Sequence, residues 1–148
     1  MGMHLEDRAE SEEIVIRCQE DRSTRVRLFD PVGQGEDELA FGIEVQAEGL
    51  HARLEHVEVH AWQSEFLSTF LAGLAADFRG WDGERLWHTN HLTLSATFRS
   101  GGHVRLLWTL RYSSGMPESW QVSAATWLEA GEQLTEVAEQ AREFLRGW

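Results

Sequence analysis

The sequence of 148 residues contains no lysine and only one cysteine. All 13 basic residues are arginines, which excludes Schiff-base chemistry through a lysine and the phosphate-binding Walker A loop. The lone Cys18 cannot form a disulfide within the chain. Its alternation with Ile14 and Ile16 predicts a small buried residue rather than a nucleophile.

Long apolar runs are also absent. No run approaches the roughly 18 residues that a membrane-spanning helix needs. The first residues lack the charged and apolar regions of a signal peptide. We therefore expect a cytoplasmic protein that does not bind a membrane.

Positive charge is scarce, since 25 acidic residues face 13 arginines and the formal net charge is -12. Nucleic-acid binding needs a basic surface, so nucleic acid is not an expected partner. A basic protein would instead be attracted. Acidic residues crowd the N-terminus, and we expect residues 1–12 to form a disordered acidic segment. Residues 13–148 are expected to form a single α+β domain.

Alternating apolar and polar residues, the pattern of half-buried strands, occur in eight segments. Four segments come before the first helical pattern and four come after it. The second strand is predicted to end before Pro31, which should begin a loop. In the fourth strand the apolar phase shifts between Leu54 and Val57, which predicts a β-bulge at Glu55 or His56.

Two segments have the spacing of amphipathic helices. The first apolar stripe includes Phe66, Phe70, Leu74 and Phe78, and the second covers residues 134–148. The order of four strands, helix, four strands and helix predicts an α+β fold. We expect a twisted antiparallel sheet of about eight strands, either continuous or divided into two subsheets, with two amphipathic helices on one face.

The Ser-Gly-Gly segment at residues 100–102 determines the register of the central hairpin. A two-residue loop would place Phe98 opposite Arg105 and mix the two faces. A three-residue loop pairs Phe98 with Val104, so that apolar residues meet apolar residues. This loop requires a positive φ at Gly102.

The next hairpin is predicted to place Trp108 opposite Ala124, because a large residue packs well against a small one. Trp108 and Trp120 are therefore expected in the core. The expected contacts between the helices and the later strands involve Phe66, Phe70, Leu74, Leu134, Phe144, Trp148, Leu94, Phe98, Leu106, Trp108 and Val122.

The opposite face of the later strands is rich in serine, threonine and arginine. Alternation places Arg99, Arg105, Arg111 and Trp127 on this face. A solvated sheet face is one interpretation. A flat recognition surface, with Trp127 and the arginines as anchors, is the other.

His56, Glu58 and His60 occupy every second position of the fourth strand, so their side chains should share one face. Histidine and glutamate are zinc ligands, which makes a zinc site one interpretation. A polar outer face without metal is the other. No catalytic residue is predicted, because the chain has no G-x-S-x-G motif and its cysteine is expected to be buried. No cofactor is expected, and zinc at this site is the alternative.

Acidic residues form a stripe along the second helix: Glu132, Glu136, Glu139 and Glu143. Such a stripe is ordinarily the solvent face, and it also suits the docking of a basic partner. The leading hypothesis is a non-enzymatic, acidic protein-interaction module that binds a basic protein through this stripe or through the face around Trp127. The alternative is a small-molecule or metal-binding domain whose curved sheet encloses a cavity lined by Trp87, Trp108 or Trp120.

The segments GWDGERLW, GHVRLLWTLR, ESWQV and EAGEQLTEVAEQAREFL resemble an uncharacterised family of small actinobacterial proteins. The resemblance covers about residues 39–145. The family is a domain of unknown function, so the resemblance implies no activity, cofactor or catalytic residue. Small acidic proteins of this kind are often suspected of being immunity or antitoxin partners, an analogy that rests on size and charge.

Overall fold

A computed structural model describes residues 12–33, 35–62 and 65–145. The predicted disordered segment lies outside these ranges except for residue 12, and so does Trp148. The strands are β1 (Glu13–Arg17), β2 (Arg25–Gly33), β3 (Glu38–Ala47), β4 (Leu50–His60), β5 (Glu84–His88), β6 (Leu92–Arg99), β7 (His103–Arg111) and β8 (Gln121–Glu129). The helices are α1 (Leu67–Ala76) and α2 (Glu132–Leu145).

The strands form two antiparallel four-stranded sheets, ordered β1-β2-β3-β4 and β5-β6-β7-β8. This confirms the α+β prediction in its divided form. The sheets adjoin where the chain leaving β1 meets β8. There the amide of Gln19 donates to the carbonyl of Trp127 at 2.8 Å, and the amide of Trp127 donates to Cys18 Sγ at 3.4 Å. Cys18 is 3% exposed, which confirms its predicted burial.

One hydrophobic cluster joins both sheets and both helices. Phe41 of β3 meets Phe144 of α2 edge to face, with ring centroids 6.5 Å apart. Trp108 is fully buried in β7. Its indole N–H donates to Thr126 Oγ1 at 3.0 Å, so the largest buried side chain leaves no polar atom unsatisfied.

The predicted register of the later strands is confirmed. Phe98 pairs with Val104, and Trp108 pairs with Ala124. Gly102 has a φ of 78°, as the three-residue loop requires. The expected bulge in β4 is present as well. Phe41 pairs with Val57 and Ile43 pairs with Leu54, so two residues of β4, Glu55 and His56, lie opposite the single residue Gly42 of β3.

The prediction that Phe66 and Trp120 are buried in the core is wrong. Phe66 is 37% exposed, because α1 begins only at Leu67 and leaves this ring before the first turn. Trp120 is 38% exposed, because it precedes the first residue of β8 and lies outside the buried part of the sheet. Phe98 and Val122 are partly buried and pack against the core cluster.

The second strand is longer than predicted, because β2 continues through Pro31 to Gly33. Its register with β3 shifts between Phe29 and Val32, which marks a bulge. Asp30 within this bulge has a φ of 50°. A bulged residue stands outside the hydrogen-bond ladder, so the missing N–H of proline does not end the strand.

Neither described helix has the length and apolar character that a membrane span needs.

Candidate functional site

An open polar cavity of about 700 Å³ lies between β4 of the first sheet and the β5–β7 region of the second. Its lining consists of Glu58, His60, His88, Thr89, Asn90, Thr93, Arg111 and Ser114. The cavity therefore combines residues from two separate sequence predictions. Arg111 comes from the polar sheet face, and Glu58 and His60 come from the predicted zinc set.

Arg111 projects into this cavity from the end of β7. Its Nη1 donates to the carbonyl of Thr89 at 3.2 Å and, weakly, to the carbonyl of Asn90 at 3.4 Å. Its Nη2 donates to the hydroxyl of Thr93. Burial lowers the pKa of Arg111. Within the described ranges the guanidinium forms no ion pair, so its charge is held by neutral acceptors alone.

A hydrogen-bond network fixes the β5–β6 turn that supplies these carbonyls. Asn90 Oδ1 accepts from the amide of Ser114 at 2.8 Å and from its hydroxyl at 2.7 Å. The amide of Arg111 donates to the carbonyl of His91 at 3.0 Å. The turn is thus tied to the end of β7 on both sides, which holds the acceptors of the guanidinium in place.

The wall formed by β4 presents Glu58 and His60. Glu58 Oε2 lies 3.9 Å from His56 Nε2. His60 Nδ1 is 3.5 Å from Glu38 Oε1, and this buried nitrogen makes no hydrogen bond to any described residue. The His60 ring stacks on Trp62 with centroids 4.6 Å apart. Trp62 is 65% exposed, so an aromatic surface stands open beside the cavity.

The zinc hypothesis gains no support from this geometry. Over residues 12–33, 35–62 and 65–145, no group of three histidine, cysteine, aspartate or glutamate side chains is placed to hold a metal ion. A zinc site at His56, Glu58 and His60 stays a prediction from their spacing.

The predicted arginine and tryptophan surface is divided in two. Arg105 stands opposite Trp127 in the β7–β8 register, and the Arg99 guanidinium carbon lies 5.8 Å from the Trp127 ring centroid. Arg111 is six positions further along β7, a separation of about 20 Å at the usual rise of a strand. Arg99, Arg105 and Trp127 therefore form one area, and Arg111 belongs to the cavity.

Some strand arginines pair with carboxylates and others do not. On the first sheet, Arg27 pairs with Glu13 at 2.8 Å and with Glu44 at 3.2 Å, and Arg53 pairs with Glu55 at 3.0 Å. Arg99, Arg105 and Arg111 on the second sheet have no such carboxylate in the part of the chain that the structure describes. On the second sheet Arg85 does pair with Asp77, at 2.7 Å, and on the first sheet Arg25 donates to the neutral side chain of Gln46, so each sheet carries arginines of both kinds.

The glutamate stripe of α2 is exposed along its whole length, at Glu132, Glu136, Glu139 and Glu143. This agrees with a solvent face, and the docking of a basic partner stays a prediction.

Two of the three tryptophans predicted to line a cavity are buried. Trp87 and Trp108 are 2% and 0% exposed, and the indole of Trp87 donates to the carbonyl of Glu65 at 2.7 Å. Both rings are packed into the core. The polar cavity lies elsewhere, and its residues Asn90 and Ser114 were not anticipated, because a turn signal alone does not show what the turn faces.

Comparison with known proteins identifies a family. No curated protein and no solved structure matches the chain. The model of a family described as a family of unknown function, DUF6228, matches residues 17–147. Because that match covers most of the sequence, the chain belongs to the DUF6228 family of unknown function.

Proposed function

We propose that this protein is a cytoplasmic, non-enzymatic binding domain that holds a small ligand by an anionic group in the polar cavity. A single observation carries the proposal. The guanidinium of Arg111 stands in the cavity with only neutral acceptors around it among the described residues. A carboxylate or phosphate of a ligand would supply the missing negative charge.

The hydrogen bonds of Arg111 leave room for such a ligand. A guanidinium has five N–H donors. Its bonds to Thr89, Asn90 and Thr93 occupy two on Nη1 and one on Nη2. Among the described residues nothing accepts from Nε or from the second donor of Nη2, and these are two nitrogens with which arginine can bind an oxyanion bidentately. The bonds already made hold the side chain in place, which reduces the entropy cost of binding.

Titration calorimetry with inorganic phosphate and with acetate tests this proposal. We expect weak binding to the wild-type protein and a loss of about tenfold or more in Arg111→Gln, since a hydrogen bond to a charged group contributes about 1.5–3 kcal/mol. Arg105→Gln is the matched control, because it removes the same charge from the same strand outside the cavity. Equal binding by both variants, or no binding of either anion to the wild type, would contradict the proposal.

A protein-interaction module is the second candidate function. The unpaired Arg99 and Arg105 beside the half-buried Trp127 favour it, as does the exposed glutamate stripe of α2, which suits a basic protein. An immunity-like role would be one form of this function. Titration of basic proteins encoded beside this one, using Trp127→Ala and Glu136→Gln variants, tests it. Unchanged affinity in both variants would show that neither surface binds the partner.

A further inference from the structure

The same cavity contains a carboxylate that does not pair with Arg111. Glu58 and Arg111 both line the cavity, yet the ion pairs of the described residues include none between them. Opposite charges that share a cavity would normally approach each other unless the backbone prevents it. Glu58 is carried by β4 of the first sheet and Arg111 by β7 of the second, and no ion pair joins the two in this structure.

This separation has a consequence for the charge of the ligand. A plain anion bound to Arg111 would be repelled by the Glu58 carboxylate in the same cavity. A ligand that also carries a positive group would satisfy both side chains at once. A site with separated charges of opposite sign is therefore complementary to a dipolar molecule and discriminates against a simple anion.

We infer that the ligand is a zwitterion of the amino-acid class, with its carboxylate on Arg111 and its ammonium group on Glu58. The inference rests on the proposed function and adds a positively charged group to the ligand. The cavity of about 700 Å³ is within the range of small-molecule sites and exceeds what the two charged groups need, so a side chain can be accommodated. The exposed ring of Trp62, stacked on His60 at the cavity wall, offers an aromatic side chain a surface.

Three probes with the same phenyl group test the charges separately: L-phenylalanine, 3-phenylpropanoate, which lacks the amine, and 2-phenylethylamine, which lacks the carboxylate. Titration calorimetry at neutral pH measures each against the wild-type protein. We expect L-phenylalanine to bind about tenfold more tightly than either of the other two, since each lacks one charge-assisted contact. Because the ring is common, its contribution cancels from the comparison.

Variants assign the effect to Glu58. Glu58→Gln should remove the preference for L-phenylalanine over 3-phenylpropanoate and leave 3-phenylpropanoate bound at least as well as before. Glu55→Gln is the control, because it removes the same charge from β4 at a residue that pairs with Arg53 and does not line the cavity. Thermal melting of both variants verifies that they fold.

The wild-type series alone can overturn the inference. If 3-phenylpropanoate binds as tightly as L-phenylalanine and depends on Arg111, the site is a plain anion site; the proposed function stands and the zwitterion is wrong. If neither carboxylate binds while inorganic phosphate does, the amino-acid class is wrong and the anion site remains. If neither L-phenylalanine nor any of the anions binds, both proposals are wrong.

Discussion

Arg111 donates from Nη2 to the hydroxyl of Thr93 on the neighbouring strand β6, and this bond positions its guanidinium in the cavity. The charge of Arg111 and the hydroxyl of Thr93 thus act as one unit. Arg111 supplies the contact to an anion, and Thr93 restricts the rotamers from which that contact is made.

Replacing Thr93 by valine should therefore weaken anion binding without unfolding the protein. The side chain keeps its shape and loses only its acceptor. A hydrogen bond with a charged group contributes about 1.5–3 kcal/mol, so we expect a loss of about tenfold in affinity. Calorimetry with phosphate measures the change. Thr109→Val is the control, because Thr109 is the cross-strand partner of Thr93 but bonds to Ser123 instead. Identical affinities in the two variants would show that Thr93 does not position Arg111.

Trp108→Ala should destabilise the fold by about 3–5 kcal/mol, because it removes a fully buried aromatic ring from the core. Trp108→Phe keeps much of the apolar volume but leaves the hydroxyl of Thr126 without its donor, so we expect a smaller loss of about 1–3 kcal/mol. Urea unfolding measures both. Trp120→Ala, at a residue that is 38% exposed, should cost clearly less than Trp108→Ala, and an equal cost would contradict the assignment of Trp108 as the central core residue.

Local pattern predicted most of this fold. The positive φ of Gly102, the pairing of Phe98 with Val104 and the bulge beside Gly42 all follow from strand alternation and turn chemistry, which act over a few residues. Alternation also assigns Trp120 to the inward face. It does not show that Trp120 lies before the first residue of β8, where the side chain is partly exposed to solvent.

The cavity could not be predicted in the same way. The sequence pattern assigns Arg111 to a polar sheet face and His60 to a predicted zinc set, and these are separate predictions. Their meeting depends on how the edge of the first sheet packs against the turn before β6. His60 and Arg111 are 51 positions apart in the sequence, and hydrophobic periodicity contains no information on a contact between such distant residues.

Gly42→Ala should destabilise the first sheet. A Cβ at this position would stand 2.3 Å from the ring of Phe29, which is 3% exposed. The guanidinium carbons of Arg27 and Arg53 lie 4.3 and 4.4 Å from the centre of that ring and restrict its movement. We expect a cost of about 1–3 kcal/mol, typical of overpacking.

Thermal or urea unfolding tests this expectation, and Gly73→Ala is its control. Gly73 lies within α1 and has no atom near an added Cβ, so alanine there should stabilise the protein by about 0.5–1 kcal/mol. Opposite signs for the two glycine substitutions would identify the Phe29 contact as the cause. An unchanged stability in Gly42→Ala would show that the ring moves aside freely.

Glu44 should make stability depend on pH in the acidic range. His51 Nε2 lies 2.7 Å from Glu44 Oε2, and Arg27 Nε donates to Oε1 at 3.2 Å. The hydrogen bond with His51, together with Arg27, lowers the pKa of Glu44 below its usual value, although burial opposes the shift. A carboxylate whose pKa is lower in the folded state stabilises the fold at pH values above its unfolded pKa, which is about 4.3. That stabilisation is lost as the pH falls through the folded pKa.

Glu44→Gln removes the titrating group, so its stability should decline less steeply than that of the wild type as the pH falls below about 5. The difference in free energy of unfolding between the two proteins should therefore be largest near neutral pH and shrink on acidification. Urea unfolding at several pH values measures this difference. Glu55→Gln provides the control, because its carboxylate forms an exposed pair with Arg53, and such pairs contribute little. Parallel pH profiles for the wild type and Glu44→Gln would mean that Glu44 is not stabilised as a carboxylate by His51 and Arg27.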